Sequence, residues 1–297
     1  MPTAKHIGIV AVSAEGAALC YRTICALGAA VLGPHNHPEI TMHTYPLADY
    51  MRRVDTVGWE EAGRLLLSSA RKLAEAGAQL LICPDNTLHQ ALDLVRGDSP
   101  VPWLHIAEAV AGAAAARGYR RVGVLGTRYL MEGPVYTAKL AARDIDSEIP
   151  ELDDRHCLND IIFNELVYGH IDAASRRYFQ EMIRGLGQRG CEAVVLGCTE
   201  IPLLISETES SLPTLDSTRI LAQAALRAAT GAAALNPEVK PVEAPPQQRS
   251  TDRRTANSPT FMPPQSLATS IINLARVALQ RLGRILRDRP YNRARVS

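Results

Sequence analysis

Excess charge is missing from this sequence. Its 297 residues carry 32 Lys and Arg against 31 Asp and Glu, a net charge of +1, so the chain as a whole has no electrostatic pull toward nucleic acid or anionic membrane. Uninterrupted apolar runs are short, below the roughly 18 residues of a membrane span. The N-terminus enters Lys5-His-Ile-Gly-Ile-Val-Ala-Val with no signal-peptide pattern. Cysteine is sparse: six thiols, at 20, 25, 83, 157, 191 and 198, with neither paired metal-ligand spacing nor the density of a secreted disulfide scaffold. A cytoplasmic protein with free thiols is the expectation. No P-loop, no Gly-x-Gly-x-x-Gly turn and no spaced Cys/His cluster is present, so chemistry without nucleotide, metal or other cofactor is expected. Aromatic residues make up only 5% of a chain that is 46% apolar, an ordinary level for a soluble globule.

What is present is a repeat. Gly190-Cys-Glu-Ala-Val-Val-Leu-Gly-Cys-Thr-Glu200 carries a four-residue apolar strand, Ala193 to Leu196, followed by a turn holding a thiol, a hydroxyl and a carboxylate. Gly77-Ala-Gln-Leu-Leu-Ile-Cys-Pro-Asp-Asn-Thr87 matches it without a gap and pairs Asp85 with Cys198 and Thr87 with Glu200. Arg121-Val-Gly-Val-Leu-Gly-Thr127 likewise resembles Ile7-Gly-Ile-Val-Ala-Val-Ser13. In open α/β sheets, ligands sit at the C-terminal ends of strands. Two half-molecules therefore each offer one acid–base side chain to a shared site.

Between these units the periodicity predicts helices from Ser13 to Leu27, Trp59 to Ala76, His89 to Arg96, Ile106 to Arg117, Glu132 to Arg143, Leu158 to Tyr168, Ala173 to Leu186 and Thr218 to Ala229. Further strands are expected at Thr41–Tyr45 and Val101–His105. Strands alternating with helices imply parallel sheets. The expected fold is α/β, with two pseudo-symmetric lobes, each a parallel sheet flanked by helices, and a site in the cleft between them. Residues 1–235 form this region, with lobe 1 at about 1–100 plus 213–235 and lobe 2 at about 101–212. Residues 236–265, rich in Pro, Gln, Ser and Arg, are expected to be a disordered linker. Residues 266–297 are expected to hold a basic amphipathic helix from Leu267 to Arg289. It is read as packing on the protein or a neighbour, or as contacting a membrane surface or protein partner.

At Gly123-Val-Leu-Gly-Thr-Arg-Tyr, Ile161-Ile-Phe-Asn-Glu-Leu and Gly197-Cys-Thr-Glu-Ile-Pro the chain resembles the aspartate/glutamate racemase superfamily, over about Ile7 to Ala229. Hydantoin racemases, maleate isomerases and arylmalonate decarboxylase belong to the same superfamily. The resemblance implies cofactor-independent proton exchange at a carbon α to a carboxylate, between two thiols on opposite faces. It places one of these at Cys198, where a following helix from Ile201 is expected to lower the thiol pKa. The other thiol is replaced: the residue before the Asn86-Thr87 pair is Asp85, with Cys83 two positions earlier. Asp85 is read as a second base or acid, as a hydrogen-bond partner of a lone Cys198, or as a turn-forming cap. Cys83 is read as a buried strand residue.

The resemblance further assigns Ser13, Asn86, Thr87, Thr127, Thr199 and Glu200 to substrate binding, and places Arg52 or Arg53 near a position that binds a side-chain carboxylate. Leu130, Cys157 and Leu221 replace the polar residues expected there, among them a lysine that grips the distal carboxylate. These losses weaken recognition of a second carboxylate and leave the proton-transfer end in place, so the substrate need not be Asp or Glu. The expectation is an amino-acid racemase or epimerase, a homodimer acting on a small amino acid or carboxylic acid, with no nucleic acid partner. Its alternatives are a one-thiol decarboxylase or isomerase and a non-catalytic carboxylate-binding relative.

Overall fold

Residues 4–232 are described by the computed structural model. The first half runs β1 (Ile7–Ala11), α1 (Ala14–Leu32), β2 (Ile40–Thr44), α2 (Leu47–Thr56), α3 (Trp59–Glu75), β3 (Leu80–Ile82), α4 (His89–Val95), β4 (Trp103–Leu104) and α5 (Ile106–Ala116). The second runs β5 (Arg121–Leu125), α6 (Arg128–Glu132), α7 (Pro134–Ala141), β6 (Asp146–Glu148), α8 (Leu152–Asn164), α9 (Ala173–Gln188), β7 (Ala193–Leu196), α10 (Ile201–Leu204), β8 (Thr214–Asp216) and α11 (Ser217–Thr230). Two four-stranded sheets result, ordered β2-β1-β3-β4 and β6-β5-β7-β8, with every pairing parallel. The identical order is the structural form of the sequence repeat. The fold is thus α/β with two matching lobes.

The inner strands β1, β3 and β7 are buried at every position, as strands covered by helices on both faces must be. Helices α3 and α9 stop where Gly77 and Gly190 turn to φ of 96° and 87°, a left-handed conformation that glycine adopts without a Cβ clash. Helix α1 is long and apolar enough, by length and composition, to cross a membrane. Here it packs Cys20 and Ile24 against Ile7, Ile9 and α11 in a buried cluster.

The lobe boundaries differ from the expected division. β4 completes the first sheet, and β8 completes the second. The chain changes lobe after each fourth strand. Helix α5 then packs Ala107, Val110 and Ala114 on Val122, Val124 and Val195 of the second sheet. Helix α11 returns Leu221, Ala222 and Ala225 to Ile7, Ile9 and Ile82 of the first. Each lobe is covered by a helix that follows the other lobe's last strand.

Other differences have local causes. The helix expected over Glu132–Arg143 is interrupted at Gly133, because Pro134 lacks an N–H and starts a new helix, α7. Helix α8 begins at Leu152 rather than Leu158, and α2 and β6 were not expected at all. β6 is an edge strand of sequence Asp-Ser-Glu, which carries no apolar alternation. The expected linker at 236–265 and basic helix at 266–297 lie outside the described residues.

Candidate active site

The sheets present the loops after their first and third strands to a common cleft. Its open space is about 460 Å3, mouth included. Ser13, Asp85, Asn86, Thr87, Thr127, Cys198, Thr199 and Glu200 line it. The loops touch in a near-symmetric way. Ser13, after β1, lies 3.1 Å Oγ to Oγ1 from Thr199, after β7. Thr127, after β5, lies 2.9 Å from Thr87, after β3, between their hydroxyl oxygens. Ser13 and Thr127 also cap α1 and α6, accepting the N–H groups of Gly16 and Leu130. Their positions are thereby fixed to the rigid starts of two helices.

A buried network ties the Asp85 loop to the Cys198 loop. Asn86 Nδ2 donates to Ser217 Oγ (2.9 Å), and Ser217 Oγ donates to the carbonyl of Leu196 (2.8 Å), at the end of β7. Tyr136 Oη donates to Asn86 Oδ1 (2.6 Å). Behind Asp85, His89 Nδ1 donates to the Asp85 carbonyl (2.7 Å), and His89 Nε2 accepts the Ile106 N–H (3.1 Å). With one nitrogen donating and the other accepting, His89 is neutral, and burial holds its pKa well below the ordinary range.

Asp85 Oδ1 accepts the N–H of Leu88 (2.9 Å), so this residue caps the turn into α4 while also facing the cleft. Burial pushes its carboxyl up to about 6, with Glu200 adding to the rise, against the pull of the Leu88 and Thr87 N–H groups. Cys198 is 8% exposed, and its Sγ donates to Glu200 Oε2 at 3.0 Å. The same oxygen accepts from Thr199 Oγ1 at 2.8 Å. Burial, and then the Glu200 carboxylate, push the Cys198 thiol well above its usual range. This corrects the expected lowering. Helix α10 is only four residues long, so its dipole is weak, and a carboxylate rather than a cation stands beside the sulfur.

Arg52 is the second correction. It lies on α2 with its side chain 65% exposed, paired with Asp49 at 2.9 Å, and it does not line the cleft. Arg53 is drawn back onto the Asp49 carbonyl (2.9 Å). The face of α2 that reaches the cleft carries Leu47 and Met51 instead, one helical turn apart. Ile162 and Phe163 of α8, and Val167 just beyond it, form the facing wall. Sequence reasoning missed these five residues, although the Leu47, Tyr50, Met51, Val54 spacing after Pro46 was a usable helical signal. Cys83 packs into the core with Val10, Tyr50 and Leu81 and is not a cleft residue. Among the described residues no group of three His, Cys, Asp or Glu side chains is placed to hold a metal ion.

The arrangement brings a carboxyl that titrates near 6 and a protonated thiol to one cleft, among hydroxyl donors suited to a carboxylate. Comparison with known proteins points the same way. The chain is 29% identical over 187 residues to a glutamate racemase of Thermus thermophilus, a match that spans 61% of this chain and only 63% of that enzyme. It is 22% identical over 189 residues to the broad-specificity amino-acid racemase RacX of Bacillus subtilis, covering 63% of this chain and 80% of that one. Among solved structures, an aspartate racemase homologue from Pyrococcus horikoshii superposes with a TM-score of 0.66 at 28% identity, over 76% of this chain and 99% of that chain. A Yersinia pestis protein provisionally assigned as an Asp/Glu racemase gives 0.70 at 32%, over 76% and 99%. The family model for Asp/Glu/hydantoin racemases matches residues 7–225, and the chain belongs to that family.

Proposed function

We propose that this protein is a cofactor-independent amino-acid racemase or epimerase that exchanges the proton at the carbon α to a carboxylate, with Asp85 and Cys198 as its two acid–base groups. The observation that carries this reading is the repeat made spatial. Equivalent strand ends of the two lobes deliver one carboxyl and one thiol to the same cleft. The substrate α-carboxylate lies against the hydroxyls of Ser13, Thr87, Thr127 and Thr199, which supply hydrogen bonds to the charge that develops when the α-proton leaves.

In one direction the Asp85 carboxylate takes the α-proton, and the Cys198 thiol gives its own proton to the opposite face. Cys198 is left as a thiolate and Asp85 as a neutral acid. In the other direction the same groups run backwards: the Cys198 thiolate takes the α-proton and the Asp85 acid gives its own to the opposite face, which restores the thiol and the carboxylate. The Glu200 carboxylate stands 3.0 Å from Sγ. A thiolate crowded by a carboxylate is a strong base, which suits a weakly acidic carbon.

The test is incubation with single amino-acid enantiomers in D2O, with and without a metal chelator. Deuterium at the α-carbon with inversion, undiminished by chelator, is the expected result. In a one-thiol enzyme, where Cys198 protonates a single face, deuterium enters without inversion. Cys198→Ser should abolish inversion, because a serine hydroxyl is a far weaker acid than a thiol. Wild-type inversion in that variant would remove Cys198 from the mechanism.

A further inference from the structure

We infer that the substrate's side chain is uncharged and apolar and lies against Leu47, Met51, Ile162, Phe163 and Val167. This rests on the proposed α-carbon chemistry of the same cleft. The wall is made by two elements, α2 from the first lobe and the end of α8 from the second, which line the same cleft as Asp85 and Cys198. Leu47, Met51, Phe163 and Val167 are only half-buried, so apolar surface remains free on the cleft side. Among the described residues the cleft lining contains no Lys, Arg or His; its ionisable groups are Asp85, Cys198 and Glu200. A second carboxylate on the substrate would leave water for an apolar wall, without a counter-ion, beside two acidic residues. That is the costliest way to bury a charge.

Cations on the surrounding elements are held elsewhere: Arg128, after Thr127, lies over the Tyr129 ring at 5.7 Å. Arg52 pairs with Asp49 on the outer side of α2. Lys139 is tied to Glu108 and Asp93. Cys157 is half-buried on α8 and is not among the lining residues. A cationic side chain finds carboxyl groups in the lining only at Asp85 and Glu200, at the end of the cleft that holds Cys198. It would otherwise end against carbon. Apolar side chains of similar length bury their methylenes on the wall, and a hydrophobic site discriminates by about 10- to 200-fold per methylene.

The experiment compares near-isosteric pairs, Met with Glu and Leu with Asp, with Lys as the cationic control. Rates of α-deuterium exchange are read in D2O. In parallel, binding of α-methylmethionine and α-methylglutamate, which lack an α-proton, is measured by calorimetry on the full chain. Met over Glu and over Lys by at least about 10-fold in kcat/KM, with the same order in the binding pair, is expected. Met51→Lys, checked for folding by circular dichroism, should reverse the Met/Glu order, and Val167→Lys provides a second such variant. Exchange that favours Glu, Asp or Lys overturns this inference and leaves the racemase reading standing. Tight, preferential binding of α-methylmethionine with no exchange of any amino acid supports the apolar subsite and sinks the racemase reading. Equal or absent binding of both α-methyl compounds overturns the subsite.

Discussion

Burial and Glu200 outweigh the Leu88 and Thr87 N–H groups and hold Asp85 back from ionisation, and this makes its replacement informative. Its folded carboxyl titrates at about 6 instead of 3.8, so its contribution to stability is fully present below 3.8 and is lost as pH rises through 6. Asp85→Asn keeps an oxygen for the Leu88 N–H but cannot ionise. The variant should therefore be more stable than wild type at pH 7.5, by up to about 3 kcal/mol, with the gain shrinking at pH 4.5. Urea unfolding at the two pH values measures this. The same variant should invert substrate at least roughly 100-fold more slowly, the lower end of a general base's contribution. In the wild type, kcat/KM should rise through about pH 6 as Asp85 ionises, and that limb should vanish in Asp85→Asn. Inversion at the wild-type rate in the variant would reduce Asp85 to a cap, a role its Leu88 hydrogen bond already fills. The identity of Asp85 as the mate of Cys198 was legible in the repeat. The direction of the Cys198 shift was not, because it depends on burial of the thiol and then on Glu200 folding back onto the sulfur.

At the scale of elements, the N-terminus of α1 is pressed against the opposite lobe. A Cβ on Gly16 would stand 2.6 Å from Thr199 Cγ2 and 2.7 Å from the Pro84 carbonyl oxygen. One obstacle is main chain just ahead of Asp85, and the other is the residue after Cys198, so neither moves without disturbing the site. Gly16→Ala should destabilise the protein by about 1–3 kcal/mol, the usual cost of overpacking. It should also lower kcat more than Gly112→Ala in α5, since nothing beyond its own stretch of helix lies within 4 Å of a Cβ at that position. Chemical denaturation and exchange rates on both variants check this. The elements themselves were unevenly visible. Long, capped, periodic helices such as α3 and α9 were plain in the sequence. The polar edge strand β6 was not, because it carries no apolar alternation, and α2, though Leu47, Tyr50, Met51 and Val54 keep helical spacing, is short and has no side-chain cap at Pro46.

At the scale of the whole molecule, the exchange of α5 and α11 makes the lobes interdependent. Each sheet is covered by a helix that the other sheet's last strand leads into, and the Tyr136–Asn86–Ser217 network joins the lobes beneath the site. Tyr136→Phe removes one hydroxyl and leaves Asn86 Oδ1 buried without that donor. The expected cost is about 1–3 kcal/mol of stability, the penalty of an unmet buried polar group. Turnover should fall further than stability alone explains, because Asn86 sits beside Asp85 and is held on the second lobe through Ser217. Urea unfolding should remain a single transition for both lobes. Two separated transitions would show that the exchanged helices do not couple them.

The sequence by itself determined the two-lobed α/β plan, the repeat that pairs Asp85 with Cys198, and the hydroxyl-bearing strand ends around them. These are local or periodic properties, written in runs of a few residues and repeated once. Only the tertiary structure decided which face of α2 meets the cleft, putting Met51 there and Arg52 in solvent. It alone set the apolar wall, the burial that raises the pKa of Asp85 and of Cys198, and the sheet to which β4 and β8 belong. These depend on which surfaces come together from distant parts of the chain and lose their water, a property that no local period encodes.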